Sequence, residues 1–299
     1  MENVEKIIPI ENLPVIPPIP SSTLRTNLVL SGGSVRGISH LGALMRLIEE
    51  GVIDLKKIKA IAGSSVGSLV GVLIVLGFNM GEVWDLILRL DMRKLTKTNF
   101  LMFLSKCGIE SGEIIHKFFE EILEKKTGCK NINFKQLYDK TGVAFTVVGS
   151  CLTTKKIIYF DHLNTPDFLV SLALRISISM PGFFTPVVIG NKKYVDGGIL
   201  NNFPMNLFED KLDETIGILI CNEYDTDYKY PEEYVISIMN LFMHHFYQET
   251  ANKYADQTVY VTKTPKGISS FCFDVSNELK LELLKIGINA AKDFMKKSI

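Results

Sequence analysis

Charge of one sign is what this sequence most plainly lacks: 33 Lys and Arg stand against 33 Asp and Glu in 299 residues. A nucleic-acid-binding domain gathers a basic surplus on one face, so no nucleic-acid partner is expected. The balance also supplies no long-range pull toward an anionic surface. Cysteine is scarce and odd in number: Cys107, Cys129, Cys151, Cys221 and Cys272, no two at the C-x-x-C spacing of a metal or redox site. Free, mostly buried thiols in a reducing compartment are the expectation, not a disulfide framework. No metal-ligand cluster and no calcium-binding loop of the EF-hand type is visible, so the chemistry is expected to need neither metal nor cofactor. Long hydrophobic runs are missing too. The most apolar stretch, Leu69 to Phe78, has about half the length of a membrane span. The start, Met1 to Lys6, has neither the basic end nor the apolar core of a secretion signal. These absences point to a cytoplasmic chain, peripheral at most to a membrane surface.

What is present is the composition of a folded globular protein, 46% hydrophobic and 22% charged. Residues 1–24 read as an arm. Pro9, Pro14, Pro17, Pro18 and Pro20 favour an extended, polyproline-like form there. Residues 25–299 read as the domain proper. In it, strand and helix patterns alternate. Asn27 to Leu30 is a short apolar strand, followed by a helix from Ile38 to Glu50. Ile58 to Ala62 is a second strand, and Ser68 to Leu76 a helix apolar nearly all round, hence buried. Residues 82–126 look helical with a break near Ser105 to Gly108. Hairpins are expected at Gly142 to Phe160 and around Gly190-Asn191, with a helix over Asp167 to Ile178 between them. Thr215 to Cys221 and Gln257 to Val261 read as strands, and 231–254 and 277–297 as helices. The fold class expected from this alternation is α/β: three layers, α/β/α, around a mainly parallel sheet.

Three motifs could carry chemistry. Gly63-Ser64-Ser65-Val66-Gly67 fits G-x-S-x-G, with a strand before it and a buried helix after it. Such a strand-to-helix turn strains the serine backbone and lifts its hydroxyl above the sheet edge. The helix N-terminus aims free N–H groups at it. Ser65 is therefore the candidate nucleophile, and Gly63 and Gly67 its elbow. Gly32-Gly33-Ser34-Val35-Arg36-Gly37 also follows a strand and opens a helix, and its backbone N–H groups suit an anion. A dinucleotide site would need glycine at the third position of the loop, where Ser34 stands, and an acidic residue about 20 positions on; both are missing. An oxyanion hole fits better. The third motif, Asp196-Gly197-Gly198 with Asn201-Asn202-Phe203-Pro204 behind it, is by itself only a turn signal.

Taken in order, the motifs resemble the patatin-like phospholipase family, over about Thr26 to Glu209. The stretch Ser177 to Pro186 resembles the segment that this family places before its catalytic aspartate. The resemblance implies a serine–aspartate dyad in which Ser65 attacks an acyl carbonyl and Asp196 accepts its proton. It implies an oxyanion hole at Gly33 and Ser34, framed by Gly32, Arg36 and Gly37, with Gly197 and Gly198 flanking the base. Ser34 departs from the family's usual glycine, and Ser31 stands where several plant members carry Asp.

Two rival readings stay open on the sequence. An α/β-hydrolase triad would need a histidine after Asp196, and only His244 and His245 qualify, in a predicted helix. The fold could also serve a non-catalytic lipid-binding module. For an enzyme, the implied substrates are phospholipids or lysophospholipids, with galactolipids or neutral glycerides as alternatives. Transient contact with a membrane surface follows; Phe100 to Leu104 and Pro181 to Phe184 could line an acyl groove, touch a bilayer or equally be ordinary core.

Overall fold

The computed structural model describes residues 24–90, 100–221, 249–265 and 275–297, with a few positions between 234 and 241. The first half alternates as the sequence predicts: β1 (Asn27–Leu30), α1 (Ile38–Glu49), β2 (Ala60–Ser64), α2 (Val66–Val75) and α3 (Met80–Arg89). Then follow α4 (Phe100–Lys106), β3 (Gly108–Glu110), α5 (Glu113–Thr127), α6 (Phe134–Thr141), β4 (Ala144–Cys151) and β5 (Lys156–Phe160). The rest comprises α7 (Val170–Ser177), β6 (Gly182–Phe184), β7 (Val187–Ile189), β8 (Lys192–Asp196), α8 (Gly198–Asn201), β9 (Thr215–Ile220), β10 (Thr258–Val261) and α9 (Asn277–Lys297).

The main sheet has the order β10-β9-β1-β2-β4-β8-β7, with β5 also on β4. From β10 to β4 every pairing is parallel; β5, β8 and β7 join antiparallel. Strands buried on both faces carry near-continuous apolar runs, and β9 (TIGILI) is buried at all its positions. Alternate residues enter different layers. Leu28, Leu30, Ile61, Ile218 and Ile220 join the large core under α1, α2 and α7, while Val29, Ala62 and Leu219 meet Phe203, Met205, Phe208 and Tyr254 on the other face. At roughly 2 kcal/mol per buried large aliphatic side chain, the first core drives folding. α1 and α9 meet closely because Gly42 faces the Leu284 carbonyl and Gly287 the Ser39 carbonyl, with no space for a Cβ at either.

Several boundaries differ from the sequence reading. β2 runs two residues further than predicted and α2 starts two residues earlier, leaving Ser65 as the single residue between them. Among the described residues of 82–126 are three helices and a short strand, β3, which pairs in parallel with β6. α6 was not foreseen, although Asn133 and Gln136 form a reciprocal capping box at its start. Phe183 and Phe184 are 5% exposed and belong to the core, so they form no bilayer-facing surface. The proline-rich arm up to residue 23, His244, His245 and most of the helix expected over 231–254 lie outside the described residues. No described helix is long and apolar enough to cross a membrane.

Candidate active site

Ser65 makes the whole turn from β2 into α2, with φ 50° and ψ −128°. A non-glycine residue held there costs about 1–3 kcal/mol, so its surroundings must hold it. They do so by hydrogen bonds. The Ser65 N–H donates to Ser177 Oγ at 2.9 Å. Its carbonyl accepts from the Ser68 N–H at 2.9 Å and from Ser68 Oγ at 2.6 Å. The turn also needs a glycine two residues on, because Gly67 is pressed against the Leu30 and Ser31 carbonyls. Gly63 backs onto the same turn, with Ser68 N 2.6 Å from where a Cβ would sit. The result is a half-buried hydroxyl at the N-terminal, positive end of a buried helix.

The glycine loop lies beside it. A Cβ on Gly32 would come within 3.0 Å of Ser65 Cβ. Gly32 is clasped by Asn202: its N–H reaches Asn202 Oδ1 at 3.1 Å and the Asn202 carbonyl at 3.3 Å, and Asn202 Nδ2 donates to the Gly32 carbonyl at 3.4 Å. Gly32 N–H is thus engaged and frames the loop. The Arg36 N–H turns back to the Gly33 carbonyl at 3.2 Å, and Arg36 Nε reaches the same oxygen at 3.3 Å. Gly33 N–H donates to none of the described residues. Ser34 adopts φ 53°, a left-handed conformation that favours glycine. Gly37 ends the turn against Val66. Behind the loop, Ser31 Oγ donates to the Gly32 carbonyl and accepts from the Ile220 N–H.

His40 is fully buried, and burial lowers its pKa to about 4. It is neutral and carries its proton on Nε2, which donates to the Ser31 carbonyl at 2.8 Å. It supports the loop from behind, through Ser31.

Asp196 arrives by way of β4. β2 and β8 occupy the same edge of that strand: Ser64 pairs with Val148, and Asp196 with the next residue, Gly149. β5 fills the opposite edge from Val147 to Cys151, alongside both. Where β2 leaves the sheet at Ser65, β8 takes its place and ends at Asp196. The carboxyl is 1% exposed. Oδ1 accepts from the Gly198 N–H at 2.7 Å, and Oδ2 has no hydrogen-bond partner among the described residues. Burial pushes the pKa up to about 7 against the opposing pull of the Gly198 N–H and the nearby Ser65 hydroxyl. That hydroxyl is near enough to favour the carboxylate without closing a hydrogen bond of ordinary geometry. Gly197 packs on the Val148 carbonyl, and Gly198 leaves space for the Asn202 side chain.

The segment after α7 fixes both halves. Ser177 holds Ser65, and the Ser179 carbonyl accepts from the Asp196 N–H at 3.0 Å. Arg175, 6% exposed, ties α7 to the chain on either side through the Ser111 and Thr185 carbonyls and lies over the Phe184 ring. Burial lowers its pKa to about 10, with Glu110 and Glu113 opposing, so it stays charged. Among the described residues no group of three or more His, Cys, Asp or Glu is placed to hold a metal ion.

The patatin-like phospholipase family model matches residues 28–208, more than half of the chain. The chain belongs to this family. A protein of Acanthamoeba polyphaga mimivirus is 30% identical over 279 residues, covering 89% of this chain and 92% of its own. A probable lipid hydrolase of Invertebrate iridescent virus 6 is 34% identical over 185 residues, 60% of this chain and 62% of that one. Among solved structures, VipD from Legionella pneumophila superposes with a TM-score of 0.60 at 16% identity, over 91% of this chain and 67% of that one. ExoU from the type III secretion system of Pseudomonas aeruginosa gives 0.54 at 16% identity; this chain covers 52% of its length. Those two likenesses concern the patatin-like fold itself. Within that fold, Asn202, Ser177 and Ser179 hold the candidate site together and were missed by sequence reasoning. Their signals were the Asn-x-Pro stretch and the Ser177 to Pro186 segment, both visible but with no role attached.

Proposed function

We propose that this patatin-like chain is a lipid acyl hydrolase that cleaves carboxylic esters of phospholipids or lysophospholipids through Ser65 and Asp196. One observation carries the reading: a strained, accessible serine at a helix N-terminus adjoins a buried carboxyl with one oxygen unpartnered. Ser65 Oγ attacks the ester carbonyl carbon while its proton passes to Asp196 Oδ2. The carbonyl oxygen becomes an oxyanion beside the Gly33 and Ser34 backbone and the first turn of α2, whose N–H groups favour negative charge. Collapse breaks the ester C–O bond, and the departing alcohol takes the proton from Asp196. Water then attacks the acyl-Ser65 carbonyl, gives its proton to Asp196, and the fatty acid leaves as the proton returns to Ser65. A carboxylate with its pKa near 7 is a far better base than an ordinary one.

The test is hydrolysis of a p-nitrophenyl ester and release of fatty acid from phosphatidylcholine and lysophosphatidylcholine. Wild type should turn over all three, and Ser65→Ala none. Equal turnover by Ser65→Ala would refute the reading. Retained activity in Asp196→Asn with loss in a His244/His245 double alanine would favour the triad instead.

A further inference from the structure

The chain as a whole is electrically balanced, yet one end of the sheet is not. β4 continues three residues past Val148, the partner of Ser64, to Cys151. The turn joining it to β5 therefore stands roughly 10 Å beyond the elbow, at the site's end of the sheet. Cys151 pairs with Lys156 on one side and Tyr194 on the other. One position further out, where the chain enters the turn of residues 152–155, the Leu152 N–H donates to the Lys193 carbonyl at 2.9 Å. Lys193 in turn pairs with Val188. Across β4, β8 and β7 this aligns Leu152, Lys193 and Val188 in one row, neighbours about 5 Å apart, with Lys155 in the turn, Lys156 opening β5 and Lys192 opening β8 at the same end of the sheet. Leu152 is 50% exposed and Val188 62%. Lys155, Lys156, Lys192 and Lys193 are all exposed. Residues 149–160 and 182–195 contain no Asp or Glu, and none of the four lysines has an ion pair among the described residues.

We infer that these four lysines and the exposed Leu152 and Val188, gathered at one end of the sheet, are a docking surface for an anionic lipid bilayer, seating the site's end of the sheet on the membrane. Charge complementarity selects the occupant: ammonium groups with no carboxylate between them suit a sheet of anionic headgroups, and Leu152 and Val188 can enter the interface. The inference rests on the lipid hydrolase reading and extends it to where the enzyme meets substrate. α4 offers another exposed apolar face, Leu101 and Leu104, but it stands on β3 in the small second sheet.

Co-sedimentation of the full chain carrying Ser65→Ala with vesicles tests this, using phosphatidylcholine with and without phosphatidylserine. Binding should require phosphatidylserine and weaken with salt. Replacing Lys155, Lys156, Lys192 and Lys193 by Gln should lower it at least tenfold, roughly, and Leu152→Ser with Val188→Ser should weaken it further. In the Ser65 background, the lysine variant should hydrolyse a water-dispersed p-nitrophenyl ester at the wild-type rate, which also shows that it folds. Undiminished binding by the lysine variant, binding without phosphatidylserine, or loss only on Leu101→Ser with Leu104→Ser would overturn the inference. Lysine-dependent binding without any Ser65-dependent ester turnover would uphold the docking surface and sink the hydrolase reading.

Discussion

Asp196 stands opposite Gly149 on β4, one step along from Val148, the partner of Ser64. The aspartate thus continues the line of β2 across the elbow, and the sheet's hydrogen bonds set its distance from Ser65. The same placement buries it, so the folded chain keeps a proton that the unfolded chain releases near pH 3.8 and the native carboxyl only near 7. Stability on this account is full below the lower value and declines as pH rises to the upper one. Asp196→Asn should therefore be more stable than wild type above pH 7, by about 1–3 kcal/mol, and no more stable near pH 4. Its activity should fall about 100- to 10,000-fold. Thermal melts at both pH values beside ester hydrolysis would check the pair; a variant less stable at high pH would contradict the buried-carboxylate account. In wild type, kcat/KM should climb through pH 7 with the slope of one proton.

Asn202 should matter through position, since it bonds both the N–H and the carbonyl of Gly32. Asn202→Ala frees the glycine loop from the turn after Asp196, and kcat should drop about 10- to 100-fold with KM little changed. Asn202→Asp keeps an acceptor for Gly32 N–H but puts a second carboxyl near Asp196, both side chains crowding Gly198. Like charge raises the pKa of Asp196, so on the proposed mechanism the rise in kcat/KM should shift to higher pH. An unshifted profile with merely lower activity would mean that Asn202 only supports the fold.

The elbow and the glycine loop were legible because each is local: strand, small residues and helix follow within about ten positions, and the spacing itself carries the physics. Their convergence was not. Gly32 and Asn202 are 170 residues apart, and Ser65 and Ser177 are 112 apart. Nothing in a linear pattern says that β8 will take over the edge that β2 leaves. β3 and β6 escaped notice because three-residue strands give no periodicity to read. Phe183 and Phe184 stayed open between acyl groove, bilayer and core, because an apolar pair reads the same whichever of them covers it.

Ser34 tests how much strain the loop carries. At φ 53° any side chain crowds its own backbone, and the family's usual glycine does not. Ser34→Ala and Ser34→Gly both remove the hydroxyl, so their difference isolates the backbone. The glycine variant should be the more stable of the two by about 0.5–1 kcal/mol in urea unfolding, after allowance for its freer unfolded chain. Equal stabilities would mean that the loop relaxes around residue 34.

His40 and Asp196 oppose each other in the pH dependence of folding. The native fold holds His40 neutral down to about pH 4, whereas the unfolded ring takes a proton at 6.5. Its contribution is full above 6.5 and is lost as pH falls toward 4. Asp196 works the other way, losing stability as pH rises from 3.8 to about 7. Across the shared window the native chain holds a proton at Asp196 and the unfolded chain one at His40, so the two slopes nearly cancel. These two groups should therefore leave wild type close to flat between about pH 4 and 6.5, apart from a residual loss toward low pH from His116, whose pKa burial also lowers. Asp196→Asn should uncover the histidine slope, with urea midpoints falling as pH drops. His40→Gln, which keeps an N–H for the Ser31 carbonyl, should uncover the aspartate slope, with midpoints falling as pH rises. A flat profile in Asp196→Asn would show that His40 accepts a proton in the folded chain, and the neutral ring behind the glycine loop would have to be abandoned.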